Sequence, residues 1–159
     1  MTFKRSRTAA VAAACLVVAV TSAFADNITG SFTLAQQNWV GNSSQAVKLS
    51  TLGSTSLNFA NPNLGPVSII FTAECQITGA TTSYVDLTVL IDNVAVAPTA
   101  INDAFCSGRG VGIGGGLAHY ALTVSKSLAI GQHIVEVNAI AVGSHTGAHL
   151  DNTTLTVRR

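Results

Sequence analysis

The sequence predicts an all-β fold, a two-sheet antiparallel sandwich of about eight or nine strands with one disulfide. Three observations carry this. Apolar residues recur at every second position in several stretches, whereas no 3.6-residue apolar period persists over ten positions. Glycine, proline, asparagine and aspartate punctuate those stretches at short intervals, with no helix-forming connection between them. Residues 26–159 are enough for one core, and no linker or internal repeat divides them.

Residues 1–25, MTFKRSRTAAVAAACLVVAVTSAFA, have the three zones of a cleaved secretory signal. Lys4, Arg5 and Arg7 form the positive start, and Ala23 and Ala25 frame a small-x-small cleavage site. The apolar run between them is about 13 residues, short of the roughly 20 that cross a bilayer as a helix. Cys15 lies inside that run, which does not suit a lipid-anchored cysteine, and Ser6 separates the arginines of a twin-arginine signal. The expected product is one domain, residues 26–159, without a transmembrane segment, in the periplasm, outside the cell or on its surface.

In that domain NITGSFTLAQQNWVG reads as one or two short strands, and AVKLSTL and SLNFANPNLGP as further strands with a Pro/Gly loop. VSIIFTAECQIT then alternates, with Val67, Ile69, Phe71, Ala73, Cys75 and Ile77 on one face. Twelve residues at about 3.3 Å each span roughly 40 Å, so a bend or bulge is expected there. YVDLTVLIDNVAVAP places Val85, Leu87, Val89 and Ile91 inward and turns at Asp92 and Asn93 into a hairpin. Tyr120, Leu122 and Val124 share the next face, Gly131 and Gln132 turn the chain, and Val135, Val137, Ala139 and Ala141 follow. Thr153, Leu155 and Val157 close the series. An immunoglobulin-like sandwich would place a Trp between its cysteines, and none lies there, so a jelly roll is preferred.

Of three cysteines only Cys75 and Cys106 follow the leader. In an exported chain they are expected to pair as a disulfide rather than act as redox or metal thiols, since they form no C-x-x-C. Beyond the leader five basic residues (Lys48, Arg109, Lys126, Arg158, Arg159) face seven acidic ones, a net charge of −2. No basic run exists to displace counterions, so nucleic acid is not an expected partner. Serine, threonine, asparagine and glycine replace the missing charge, a composition that suits secreted binding, adhesion and fibre-forming domains.

The order VSIIFTAECQITG, YVDLTVLIDNVAVAPT, NDAFCSG, SLAIGQHIVEVNAI, HLDNTTLTV resembles small jelly-roll β-sandwich domains of exported bacterial proteins of unassigned function. The resemblance spans residues 67–157. It implies a fold and transfers no catalytic residue.

Several groups of residues carry possible chemistry. Gly110, Gly112 and Gly115 satisfy G-x-G-x-x-G, but a strand-like stretch follows where a nucleotide site needs a helix N-terminus. Ser107, His119 and Asp103 can be written as a triad, without the G-x-S-x-G elbow that would support it. Glu74 and Asp86 fall on polar strand faces and could pair for glycoside hydrolysis, although isolated carboxylates on a sandwich are ordinarily solvated. For carbohydrate the best platform is Trp39 in QQNWVGN, flanked by the amides Gln36, Gln37, Asn38 and Asn42, with Tyr84 beside Asp86 second. A Trp at a strand end serves more often as a lid on the core.

The closing stretch GSHTGAHLDNTTLTVRR places His145, His149 and Asp151 within seven residues. Gly143 and Gly147 argue against a helix, and in an extended strand the two histidines stand roughly 13 Å apart, too far to share one ion. His149 and Asp151, at about 6.6 Å on one strand face, suit a two-ligand metal site completed by His119 or His133. A hairpin tip at GSHTG leading into the last strand competes with that reading.

The expectation is therefore a secreted, non-catalytic β-sandwich with a surface-structural or adhesive role and no cofactor. The alternatives are a carbohydrate- or small-ligand-binding module and, behind it, a small hydrolase or metalloenzyme. Its partners would be a surface glycan, or a second copy reached through a strand bearing Ile28, Phe32 and Leu34.

Overall fold

A computed structural model describes residues 27–34, 36–39, 42–97, 104–108 and 117–159. The expected leader, Asp103 and the glycines of the G-x-G-x-x-G stretch lie outside the described residues. The strands are β1 (Asn27–Thr33), β2 (Gln37–Trp39), β3 (Gln45–Ala46), β4 (Ser56–Asn61), β5 (Gly65–Gly79) and β6 (Tyr84–Ile91). They continue with β7 (Val94–Ala97), β8 (Ala104–Ser107), β9 (Ala118–Leu128), β10 (Gly131–Val142) and β11 (His145–Arg158). No helix occurs among the described residues.

Two antiparallel sheets result. One has the order β1-β11-β5-β9, with β2 continuing along β11 where β1 stops. The other has the order β3-β10-β6-β7, with β4 sharing the β10 edge with β3, and β8 sharing the β6 edge with β7. The pairs β1/β2, β3/β4 and β7/β8 each fill one lateral position, so the segments occupy eight positions. Numbered in chain order, these run 1-8-3-6 in one sheet and 2-7-4-5 in the other. That is the jelly roll, two Greek keys folded face to face.

Period-two patterning places the core between the sheets. β6 alternates without a break, Val85, Leu87, Val89 and Ile91 buried and Tyr84, Asp86, Thr88 and Leu90 half-buried on the outer face. β5, β10 and β11 send Phe71, Val137 and Leu155 against it, all fully buried. Each such side chain stabilises by about 1.5–3 kcal/mol relative to exposure. The expected disulfide is present. Cys75 of β5 and Cys106 of β8 belong to opposite sheets, so the bond staples the two layers.

Three details differ from expectation. β5 runs 15 residues without interruption, and its partner β11 takes the bulges instead, at 145–147 and 151–154. The second is stabilised by Asn152 at φ +48°, a left-handed conformation that asparagine tolerates. The turn between β9 and β10 falls at Ala129 and Ile130, and it carries the chain from one sheet to the other rather than closing a hairpin. Residues 47–55 are not a strand; after Val47 donates to Val137 O they fold back through a turn at Gly53. As expected of a first strand of the domain itself, β1 pairs with β11 of its own chain, and self-association through it gains no support.

Candidate ligand-binding face

The outer face of the β1-β11-β5-β9 sheet gathers polar side chains at one level. Alternation turns Glu74 and Gln76 of β5 outward, and antiparallel register sets their neighbours. Glu74 lies opposite His119 of β9 on one side and Asp151 of β11 on the other. Gln76 lies opposite His149, which in turn faces Asn38 of β2. At 4.7–4.9 Å between strands, this track crosses four strand positions over roughly 14 Å.

Hydrogen bonds hold its centre. His119 Nε2 is 2.9 Å from Glu74 Oε1, and Asn152 Nδ2 donates to Glu74 Oε2 at 2.8 Å. Asp151 Oδ1 accepts the Asn152 N–H at 2.8 Å. Opposed carboxylates on neighbouring strands repel, and donors placed on each offset that cost. The bulge supplies one of them. By rotating Asn152 out of the strand alternation, it aims an amide at Glu74 that a regular strand would have sent elsewhere.

At the β2 edge the track meets a cleft of about 270 Å³, with Gln36, Asn38, Trp39, Gln45 and Lys48 in its lining. Gln36 Nε2 donates to Asn38 Oδ1 at 2.9 Å. The cleft lies between β2 of one sheet and β3 of the other, so its walls are edge strands rather than a sheet face.

The expected platform takes a different form. Trp39 is 3% exposed and belongs to the core cluster, so its ring cannot stack on a sugar; the indole is a core lid that borders the cleft. Its Nε1 has no partner among the described residues. Gln37 is also buried, and both ends of its amide hold the Lys48 backbone, which leaves it structural. Asn42 is exposed in a bend. Tyr84 and Asp86 stand on the outer face of the other sheet, away from the Trp39 segment and from Glu74. Glu74 and Asp86 therefore do not form a carboxylate pair.

The metal reading also changes. His149 and Asp151 do project to one face, but no group of three His, Cys, Asp or Glu among the described residues is arranged to hold an ion. His119 of β9 is bonded to Glu74, whereas Ser107 lies in β8 of the other sheet, in register with Tyr84. His133 lies in β10, bonded to Asp92 and to Ala129 O. His145 begins β11 after a turn at Gly143 and Ser144, its Nδ1 3.0 Å from Gly143 O. The turn thus precedes the first histidine instead of enclosing it. The Glu74–His119–Asn152 group escaped sequence reasoning because only strand register joins residues 33 to 78 positions apart.

No protein-family model matches the chain, and no curated protein matches it. Among solved structures it is similar to the xylan-binding domain CBM22-1 of Xyn10C from Paenibacillus barcinonensis, with 11% identity, a TM-score of 0.32 and coverage of 84% of this chain and 94% of that one.

Proposed function

We propose that this jelly roll is an exported, non-catalytic module that binds carbohydrate along the polar track of the β1-β11-β5-β9 sheet and so serves adhesion to glycan-bearing surfaces. The observation that carries the reading is the row His119, Glu74, Asp151, His149, Gln76 and Asn38, which spans the sheet as one band of donors and acceptors. Sugar hydroxyls donate and accept together, and carboxylates, amides and imidazoles on a fixed scaffold answer both roles. Both Glu74 oxygens are held by neighbours, which favours an orienting acceptor over a proton-transferring acid. Export rests on the zoned residues 1–25.

Titration calorimetry of the mature chain against a panel of plant, bacterial and animal polysaccharides tests the proposal. At least one should bind, with affinity falling about tenfold or more in Gln76→Ala and in His149→Ala, and unchanged in Tyr84→Ala on the opposite sheet. If no polysaccharide binds, the reading is lost.

A further inference from the structure

The opposite end of the sandwich carries a different surface. Three turns meet there: residues 62–64 between β4 and β5, residues 129–130 between β9 and β10, and residues 92–93 between β6 and β7. Their backbones are tied to one another. Asn61, itself buried, donates from Nδ2 to Ala129 O at 2.9 Å and to Leu128 O at 3.3 Å. His133 Nε2 reaches the same Ala129 carbonyl at 3.0 Å, while Nδ1 is 2.8 Å from Asp92 Oδ2. Asp92 Oδ1 accepts the Ile134 N–H at 2.9 Å. Asn61, Ala129, His133 and Asp92 thus fix three turns as one rigid platform.

What the platform presents is apolar. Leu64 is 75% exposed, Ile130 66% and Val94 62%, each at or beside a turn tip where a polar residue would cost nothing. Around them stand cations. Lys126 pairs in register with Val67 and Arg158 with Ser68, close to where β5 leaves the 62–64 turn, and Arg159 follows; all three are exposed. The Asn63 amide, oriented to satisfy both of its ends, accepts from Arg159, which draws that guanidinium to the Leu64 turn. These are three of the five basic residues beyond the leader. Two described carboxylates stand toward this end: Asp92 at the turn, already bonded to His133 and the Ile134 N–H, and the half-buried Glu136 of β10, opposite Leu90 on the sheet away from Lys126 and Arg158. Glu74, Asp86 and Asp151 lie toward the other end of their strands.

We propose that this end docks on an anionic phospholipid bilayer, the Leu64, Ile130 and Val94 tips entering the interface and Lys126, Arg158 and Arg159 resting on the headgroups. Protruding tips rather than a groove suit a deformable interface, and a cationic rim around apolar side chains is the chemistry that anionic lipid selects. The inference stands independently of carbohydrate binding, which uses the other end.

Vesicle flotation with the mature chain tests it. Vesicles of phosphatidylglycerol mixed with phosphatidylcholine should carry the protein, pure phosphatidylcholine should not, and added salt should release it. Lys126→Gln should weaken partitioning about fivefold. Leu64→Ser with Ile130→Ser should weaken it at least tenfold at an unchanged melting temperature, since both side chains are exposed. Equal binding to both vesicle types, or none to the anionic ones, overturns the proposal. So does a concentration-dependent dimer that the Leu64→Ser, Ile130→Ser chain no longer forms and that leaves vesicles untouched, because the tips would then belong to a second copy.

Discussion

Gln37 Nε2 donates to Lys48 O at 2.9 Å while Gln37 Oε1 accepts the Lys48 N–H at 2.6 Å, so one side chain completes the backbone bonding of a segment that has no strand partner of its own. The clamp joins β2 of one sheet to the chain leaving β3 of the other, and Thr153 Oγ1 adds a bond to the same carbonyl at 3.2 Å. Gln37→Ala should cost about 1–3 kcal/mol in urea unfolding, because it leaves a part-buried N–H and carbonyl wanting. Trp39, two residues away, is the sole tryptophan. Its emission should be blue-shifted in the native chain and move to the red in Gln37→Ala.

The Cys75–Cys106 bond closes a loop of 31 residues between two buried positions of opposite sheets. Chain-entropy arguments give about 3–4 kcal/mol for a loop of this size. The double variant Cys75→Ala, Cys106→Ala should lose that much by denaturant titration. Adding reductant to the unfolded native chain before refolding should reproduce the loss.

His133 and Asp92 make stability depend on pH in two opposite senses. The bond to Asp92, and after it the Ala129 carbonyl, raises the His133 pKa above 6.5. That contribution is complete below 6.5 and disappears as pH rises through the raised value. The bond from His133, and after it the Ile134 N–H, lowers the Asp92 pKa below 3.8. That contribution is complete above 3.8 and disappears as pH falls through the lowered value. Melting temperature should therefore plateau between about pH 4 and 6.5 and decline on both sides. Asp92 is about half exposed, so each decline should be small, about 1 kcal/mol or less. His133→Gln should flatten the neutral-to-alkaline side.

Asn152 combines a left-handed backbone with a bond to Glu74, and two substitutions separate the roles. Asn152→Gly keeps the conformation accessible and removes the amide; Asn152→Ala removes both and adds strain of roughly 1–2 kcal/mol. Thermal melts should place glycine above alanine. Should the two melt alike, the bulge does not depend on the left-handed residue.

Much of this architecture could be read from residues. Asp92 and Asn93 take φ +52° and +65°, both positive as a type I′ hairpin turn requires. Thr153, Leu155 and Val157 are fully buried on one face, as their spacing implied, and Cys75 and Cys106 pair. What failed to show depends on distant partners. A three-residue strand such as β2 has no period, so nothing local separates Trp39 as a core lid from Trp39 as an exposed platform. Gly131 marks a change of direction in either a hairpin or a sheet-to-sheet crossing, and only the competing pairs β4 and β6 on β10 decide between them. The outward track was hidden for the same reason. Its residues are ordinary one strand at a time, and register alone assembles them.

The divided lateral positions have a further effect. Of the four sheet margins, three are made from two short segments each, so another chain finds only brief runs of backbone N–H and C=O there. The fourth, β9, is an unbroken 11 residues that pair on one side with β5, among the described residues. A jelly roll built this way guards itself unevenly against templated polymerisation. Under partial unfolding or crowding, growth into fibrils would start along the β9 margin, where the lone Lys126 is the one charged side chain between Tyr120 and Leu128 that interrupts it.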